Sequence, residues 1–330
     1  MTVLVTGGAG YIGSHMVLEL VDAGEDVVVL DNLTTGFDWA VAKPAELVVG
    51  DIGDTELVGR LLKERGVEAI IHFAGSIVVP ESVSNPLMYY ENNTVKSRGL
   101  IAAAVAGGVK SFIFSSTAAV YGNPAENPVS ETATLAPMSP YGWSKLMTEI
   151  MLRDAAAAHD FRYVALRYFN VAGADPAGRS GQSTPKATHL IKVACETALG
   201  KRSHMEVFGT DYPTRDGTCI RDFIHVKDLA RAHVAALSHL RAGGKADVFN
   251  CGYSKGYSVL EVIDAVKRAS GKSMDVRLSP RRPGDPAAIV AASGKIREQL
   301  GWVPHHDDLD RIVAQALAWE SELARRTNVR

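Results

Sequence analysis

A tyrosine and a lysine lie four residues apart in the segment Tyr141-Gly-Trp-Ser-Lys145. In an α-helix, residues at positions i and i+4 share one face, one turn apart. A lysine ammonium at that distance stabilises a phenolate and lowers the pKa of the tyrosine toward neutral pH. The pair therefore predicts a general base, Tyr141, that is supported by the charge of Lys145. Because Tyr-x-x-x-Lys is common by chance, this prediction needs support from elsewhere in the chain.

Hydroxyl side chains follow a predicted buried strand upstream of this pair. The strand covers residues 111–115, and Ser116 and Thr117 come directly after it. In open α/β folds, ligands bind at the carboxyl ends of the strands. Either hydroxyl could therefore bond a substrate hydroxyl beside Tyr141, although helix capping or turn formation is the alternative use of such residues. We expect Ser116 and Thr117 to be candidate catalytic residues.

The N-terminal segment has the pattern of a dinucleotide-binding turn. Gly7, Gly10 and Gly13 lie between a predicted strand at 3–6 and the start of a predicted helix. Such glycines let the backbone approach a pyrophosphate, and the helix directs its first N–H groups at the phosphates. The second strand ends at Asp31, whose carboxylate can accept from both hydroxyls of an adenosine ribose and would repel a 2′-phosphate. The pattern predicts NAD rather than NADP.

Short apolar runs alternate with helical patterns in the first half of the chain, which indicates right-handed βαβ units. Strands are predicted at 3–6, 26–30, 47–49, 69–73, 111–115 and 163–166, with helices at 11–23, 55–65, 86–106 and 141–158. The predicted fold class is α/β, with a Rossmann-type doubly wound parallel sheet.

The rhythm changes after residue 166, where residues 173–186 have the composition of a long loop. Helices are predicted beyond it at 186–199, 226–240, 259–270 and 307–327, with extended segments at 206–208, 248–251 and 275–278. We expect a cofactor domain at 1–175 and a smaller mixed α/β C-terminal lobe at 176–330. Segment 248–251 could return to the main sheet.

Composition excludes several classes of protein. The 330 residues contain 35 Lys plus Arg and 37 Asp plus Glu, a net charge of −2, which argues against a nucleic-acid partner. Charged residues or glycines interrupt every long apolar stretch, and the N-terminus lacks the features of a signal peptide. Cys195, Cys219 and Cys251 fit no metal motif and suggest a reducing compartment. We expect a cytoplasmic protein with no metal and no membrane contact.

With these motifs in this order, the chain resembles the extended short-chain dehydrogenase/reductase family, and within it the UDP-glucose 4-epimerases. The resemblance covers nearly the whole chain, and residues 208–226 are close to a signature of these epimerases. It implies that Tyr141 takes the proton of the sugar 4-hydroxyl while hydride passes from C4 to bound NAD+. The 4-keto sugar would then turn its other face to the nicotinamide, and returning hydride would invert C4.

The resemblance also implies the residues that bind each ligand. For NAD they are Gly7, Gly10, Tyr11, Ile12, Gly13, Asp31, Asn32, Asp51, Ile52, Phe73, Ala74, Gly75, Asn92, Ser115, Tyr141, Lys145 and Tyr168. For the UDP-sugar they are Thr117, Tyr141, Asn170, Leu190, Phe208, Arg221, Arg282 and Asp285. Arg221 and Arg282 would clamp the diphosphate, since guanidinium is a bidentate donor. Phe208 would line the uracil site and Asp285 the uridine ribose. Relatives are commonly homodimers that pair the helices at 86–106 and 141–158.

Three positions depart from the pattern of the relatives. Ile77 replaces a lysine that often reaches the cofactor phosphates, so NAD could be held more weakly. His189 replaces an asparagine that often contacts the nucleotide. Ile289 is intermediate in size between the tyrosine that blocks N-acetylated sugars and the smaller residues that admit them, which leaves that specificity open.

Other activities compete with this interpretation. A nucleotide-sugar 4,6-dehydratase would place Asp-Glu after the strand-end hydroxyls, where this chain has Ala118-Ala119. The sequence does not clearly distinguish a UDP-hexose 4-epimerase from a 4-epimerase for UDP-pentoses or UDP-uronates. A non-catalytic NAD sensor would typically lose Tyr141 or Lys145, and both are present.

Overall fold

The computed structural model describes residues 1–185, 187–282 and 284–328. Its largest layer is a parallel sheet of seven strands, β1 (Thr2–Thr6), β2 (Asp26–Asp31), β3 (Glu46–Val49), β4 (Val67–His72), β5 (Ser111–Ser115), β6 (Arg162–Tyr168) and β10 (Asp247–Cys251). Their order across the sheet is β10-β6-β5-β4-β1-β2-β3. The strand order reverses beside β1, which places the glycine turn at the topological switch point where such sheets bind ligands.

Both faces of this sheet are covered, which explains why its strands are almost continuously apolar. Successive side chains of a strand point to opposite faces. Val3 and Val5 accordingly lie in one buried cluster, and Leu4 lies in another. The helices of the first half are α1 (Tyr11–Asp22), α2 (Thr55–Glu64), α3 (Val79–Ser84), α4 (Pro86–Tyr89), α5 (Lys96–Ala106) and α6 (Pro140–Ala158). The predicted doubly wound α/β fold is confirmed.

A second set of elements forms two small sheets and five helices. One sheet contains β7 (Asn170–Ala172), β9 (Ile220–His225), β11 (Gly256–Ser258) and β13 (Ala288–Ile289), and the other pairs β8 (Met205–Phe208) with β12 (Val276–Ser279). The helices are α7 (Leu190–Ala198), α8 (Val226–Arg241), α9 (Val259–Ser270), α10 (Gly294–Leu300) and α11 (Leu309–Asn328). Strand β10 lies beside β6, so the chain returns to the large sheet after residue 176. The domain boundary near 175 stays a prediction.

The helix predicted at 86–106 is divided in the structure. A π-helical segment, Tyr90–Val95, separates α4 from α5. The side chain of buried Asn93 accepts from the N–H of Ser76 at 2.7 Å and donates to the Ser76 carbonyl oxygen at 2.9 Å. π-Bulges of this kind are frequent at functional sites. We infer that these tertiary bonds favour the wider helical turn.

The prediction of a helix from 186 is wrong at its start. Residues 187–189 are not helical, and α7 begins at Leu190, whereas Lys186 itself lies outside the described residues. The sequence patterns did not predict α3, α10 or the strand β9.

Within the described part of the chain, no helix has the length and apolarity that a membrane span requires. The same residues contain no cluster of His, Cys, Asp or Glu able to hold a metal ion.

Candidate active site

The start of helix α6 sets the position of Tyr141 and Lys145. Ser139 caps the helix, because its hydroxyl accepts from the N–H of Gly142 at 3.2 Å, and Pro140 occupies the first helical position. Tyr141 therefore lies in the first turn, with Lys145 one turn later on the same face. Both side chains are buried, at 7% and 4% exposure.

The ammonium of Lys145 is held by the end of strand β5. Its Nζ donates to the backbone carbonyl oxygen of Ser115 at 3.0 Å and lies 4.9 Å from the centroid of the Phe114 ring. Burial lowers the pKa of Lys145 to about 8, because the charged form loses its hydration. At neutral pH the lysine is therefore still mostly protonated and supplies positive charge beneath the site.

Thr117 is the strand-end hydroxyl that meets Tyr141. A hydrogen bond between the two side chains lowers the pKa of the tyrosine, but burial is the larger influence and raises that pKa above its ordinary value. The Tyr-x-x-x-Lys spacing predicts a lowered pKa for Tyr141, and the structure differs because burial outweighs the hydrogen bond. The phenol therefore needs more positive charge than this arrangement supplies before it can act as a base near neutral pH.

Ser116 is engaged by a buried ion pair. Its hydroxyl donates to the carboxylate of Glu149, which also accepts from Arg167 Nη2 at 2.6 Å and from Nε at 3.0 Å. Glu149 and Arg167 are each 4% exposed. The neighbouring Ser115 hydroxyl bonds the Tyr168 hydroxyl at 2.6 Å. The geometry therefore favours Thr117 for substrate contact and gives Ser116 a role in holding the strand end.

The glycine turn fits a pyrophosphate. Gly10 occupies the N-cap position of α1 and has no side chain, so the first N–H groups of the helix are left for phosphate oxygens. A Cβ on Gly13 would lie 2.1 Å from the carbonyl oxygen of Gly7, which excludes a larger residue there. The carboxylate of Asp31 accepts from the N–H groups of Ala9 at 2.9 Å and Leu33 at 2.8 Å. Asp31 is thus fixed beside the turn.

A second acidic group stands at the end of strand β3. The carboxylate of Asp51 accepts from Asn32 Nδ2 at 3.1 Å and from the Gly53 N–H at 2.8 Å. It also pairs with Lys96 Nζ at 2.8 Å. Two residues predicted to contact NAD, Asn32 and Asp51, are therefore adjacent, and Ile52 is buried next to them.

The segment that follows strand β4 joins the same edge of the sheet. The N–H groups of Phe73 and Ala74 both donate to the Thr6 carbonyl oxygen, at 2.9 and 3.1 Å. Asn92 Nδ2 donates to the Ser76 hydroxyl at 2.9 Å. A Cβ built on Gly75 would lie 3.8 Å from Lys145 Nζ, so this segment passes close to that lysine.

The residues predicted to bind a UDP-sugar form two pairs. Arg221 Nη2 lies 3.5 Å from the carboxylate of Asp285, and Arg221 Nη1 donates to the Pro286 carbonyl oxygen at 2.8 Å. The guanidinium of Arg282 stacks on Phe208, with its central carbon 3.7 Å from the ring centroid. These pairs place cationic donors beside an aromatic surface and a carboxylate, and guanidinium groups are suited to bidentate bonds with phosphate.

The remaining predicted positions have separate surroundings. Asn170 Nδ2 donates to the Asp222 carbonyl oxygen at 3.3 Å, and Leu190 is the first residue of α7. Ile289 is buried in an apolar cluster that also contains residues of the first half of the chain. His189 Nδ1 lies 3.2 Å from Gln182 Nε2, and Ile77 is about half exposed.

A comparison with protein-family models matches residues 3–252 to the NAD dependent epimerase/dehydratase family. The chain belongs to this family. The match covers the glycine turn, the Tyr141–Lys145 pair and Arg221, so NAD is the cofactor that the glycine turn and Asp31 would hold.

Three relatives are similar over almost their whole length. A UDP-glucose 4-epimerase of Azospirillum brasilense is 58% identical over 97% of this chain and 92% of its own. The crystal structure of UDP-glucose 4-epimerase from Bifidobacterium longum in complex with NAD+ and UDP is 39% identical, with a TM-score of 0.93 over 98% of both chains. The UDP-Glc/GlcNAc 4-epimerase of Campylobacter jejuni is 49% identical, with a TM-score of 0.86 over 97% of this chain and 99% of that one.

Sequence reasoning missed several side chains that support the site. Asn93 also donates to the Ser144 hydroxyl at 3.1 Å, so it connects the segment after β4 to helix α6. Lys96 neutralises Asp51, and Glu149 with Arg167 anchors Ser116. Glu149 follows Lys145 by four residues, the same spacing that drew attention to Tyr141, and this periodicity could have indicated it. Lys96 carries no comparable signal.

We expect Thr117→Val and Ser116→Ala to affect the epimerase differently. Loss of the Thr117 hydroxyl removes a bond to the reacting tyrosine, so kcat/KM should fall roughly 10- to 100-fold, the cost of a hydrogen bond to a charged group. Ser116→Ala should lower the melting temperature and change kcat/KM less than about fivefold, because its partner is Glu149. Steady-state kinetics and thermal unfolding check both. A larger kinetic loss in Ser116→Ala would make Ser116 the substrate contact.

Proposed function

We propose that this protein inverts C4 of a UDP-hexose, interconverting UDP-glucose and UDP-galactose, with NAD as a bound catalyst. The observation that carries the proposal is the hydrogen bond of Tyr141 with Thr117, one helical turn from the buried ammonium of Lys145. These groups stand at the carboxyl edge of the same sheet as the glycine turn and Asp31. The relatives that match the whole chain are named for this activity.

Tyr141 carries the proton in this reaction. Bound beside Asp31 and the glycine turn, NAD+ would supply a reversible acceptor for the C4 hydride and the positive charge of its oxidised ring. The Tyr141 Oη takes the proton of the 4-hydroxyl and later gives it back to the oxygen of the 4-keto sugar. The ammonium of Lys145 stabilises the phenolate, and the Thr117 hydroxyl orients it.

Inversion requires a sugar that turns while its nucleotide stays bound. Arg221 and Arg282 supply the charge that holds the diphosphate, and Phe208 supplies a surface for the uracil base. Such an anchor retains the 4-keto intermediate while leaving the hexose few fixed bonds. The NAD and UDP-sugar residues named from the resemblance, and the division into lobes near residue 175, belong to this proposal.

The structure offers less support for dehydration, the other chemistry in the family's name. Loss of water across C5 and C6 needs an acid close to the sugar. The positions after Thr117 are Ala118 and Ala119, which begin a short 3-10 helix and cannot donate a proton. We therefore favour epimerisation.

Tyr141→Phe should abolish epimerisation of UDP-galactose while leaving bound NAD intact. The phenylalanine keeps the ring but removes the general base, whose contribution is typically about 100-fold or more. The measurement is conversion of UDP-galactose, UDP-N-acetylgalactosamine, UDP-xylose and UDP-glucuronate without added NAD, followed by chromatography. Tyr163→Phe is the matched control, because Tyr163 is buried near the start of β6, at the opposite end of the strand from the site.

Two outcomes would count against the proposal. Activity retained in Tyr141→Phe would contradict the mechanism, and failure of the wild-type protein to convert UDP-galactose would contradict the substrate. Conversion of the N-acetylated sugar would show that Ile289 admits the larger substituent.

We also propose that the protein is a cytoplasmic homodimer. Helix α6 exposes Trp143, Met147 and Ile150 at spacings of four and three residues, which is one helical face. The adjoining short helices expose Val83 and Leu87, at 64% and 78%. A contiguous apolar surface of this kind marks an interface, and a second copy supplies a matching surface by symmetry.

The proposed cytoplasmic location rests on the cysteines. All three are buried and form no disulfide, which supports a reducing compartment.

The double variant Met147→Glu/Ile150→Glu should be monomeric. Two carboxylates on this face would lose their hydration in a dimer, so association becomes unfavourable. Light scattering after gel filtration measures the mass. Val303→Glu is the control, since Val303 is exposed at 62% outside α6 and should leave the dimer intact. A wild-type protein with the mass of one chain would refute the dimer.

A further inference from the structure

Asp222 is a fully buried carboxylate held by backbone amides. Its oxygens accept from the N–H groups of Tyr253 at 3.0 Å, Ser254 at 3.1 Å and Ala291 at 3.2 Å. The residue is 0% exposed. Consecutive N–H groups that converge on one anion form a nest, which stabilises negative charge without a cationic side chain.

The backbone around Asp222 is shaped by the carboxylate. Ser254 has a φ of +60°, a left-handed conformation that a non-glycine residue rarely adopts. A Cβ on Gly252 would lie 2.6 Å from an oxygen of Asp222, so only glycine permits this approach. Such strain persists where surrounding bonds determine it. The carboxylate is therefore a structural centre for the turn at 252–254.

Asp222 lies among the residues proposed to bind the UDP-sugar. It follows Arg221 on β9, and its carbonyl oxygen accepts from Asn170. Ile289 of β13 is the register partner of Arg221, and Ala291, which donates to the carboxylate, follows two residues later. One side chain thus connects the strand of Arg221 to the segment that carries Ile289.

We propose that Asp222 is a positioning residue of the nucleotide-sugar site, whose carboxylate fixes Ile289 and the 252–254 turn against Arg221. The proposal rests on the function proposed above and deepens it. Because Asp222 acts on the lobe that anchors the nucleotide, it governs KM for the UDP-sugar. Proton and hydride transfer depend on Tyr141 and Lys145, so kcat is largely independent of Asp222.

Asp228 provides a matched control on the same segment of chain. It is also 0% exposed, and it accepts from the Tyr253 hydroxyl at 2.7 Å and from the N–H groups of His306 at 2.8 Å and His305 at 3.0 Å. The two N–H bonds hold the segment before α11, and the third reaches the 252–254 turn only through the Tyr253 side chain; none of them reaches β13. Asp228 therefore shares the burial and chemistry of Asp222 without its connection to Ile289.

The test compares Asp222→Asn with Asp228→Asn in the NAD-loaded enzyme. The amide group of asparagine would face backbone N–H donors, so both variants should melt at lower temperature. Asp222→Asn should raise KM for UDP-galactose at least tenfold and change kcat less than threefold, with NAD content unchanged. Asp228→Asn should leave KM within twofold. An unchanged KM in Asp222→Asn, or an equal rise in both variants, overturns the proposal.

The pH dependence of the wild-type enzyme provides a second readout if Asp222→Asn does not fold. Burial raises the pKa of Asp222 to about 6. The Cys251 thiol on β10 lies close enough to feel the charge of Asp222, whereas Lys255 contacts the carboxylate through its backbone N–H and not through its ammonium. Protonation would remove an acceptor from the nest, so KM for UDP-galactose should rise as the pH falls below 6.

A KM that stays constant from pH 7.5 down to pH 5.0, about one unit below the pKa of Asp222, contradicts the proposal. The same measurements distinguish failure of the proposed activity from failure of the proposed role of Asp222. If the wild-type enzyme does not convert UDP-galactose, the proposed function is wrong. If it does, and KM responds to neither Asp222→Asn nor pH, only the role of Asp222 is wrong.

Discussion

The buried ammonium of Lys145 is the interaction on which the active site depends. A lysine at 4% exposure stays charged only if nearby groups replace water, and here a backbone carbonyl and the face of Phe114 do so. These partners come from the end of β5, so the lysine fixes helix α6 against the edge of the sheet. His72 lies in the same region, where burial and the charge of Lys145 lower its pKa to about 3 and keep it neutral. Positive charge in this region is therefore concentrated on Lys145, one helical turn after Tyr141.

Two buried carboxylates of the protein are likewise stabilised by backbone groups. Asp31 is bonded by two backbone N–H groups beside the glycine turn, and Asp222 by the nest at 252–254 and Ala291. Backbone donors are fixed in direction, so each carboxylate determines the path of the chain around it. A net charge of −2 thus coexists with binding of two anionic ligands. Local amides and the arginines Arg221 and Arg282, rather than total charge, would meet the phosphates.

The sequence predicted the parts of the fold that local pattern determines. Strand β5 and helix α9 have the predicted bounds, because a buried apolar run and a capping box mark their ends. The π-helical turn at Asn93 could not be predicted, since its cause is a bond to Ser76, 17 residues earlier in the chain. Strand β9 was missed because it carries charged residues whose partners are distant in sequence. In the site, residue types identified Tyr141 and Lys145, but only the structure separates Ser116 from Thr117.

The central claim is that the charge of Lys145, added to that of bound NAD+, makes Tyr141 a base. The most direct measurement is the pH titration of the Tyr141 ring by carbon-13 NMR in NAD+-saturated enzyme labelled at tyrosine, with Tyr141→Phe assigning the signal. Wild-type enzyme should show a phenol midpoint well below 10, and Lys145→Met should raise that midpoint by at least about one pH unit. The same midpoint in both proteins would contradict the account.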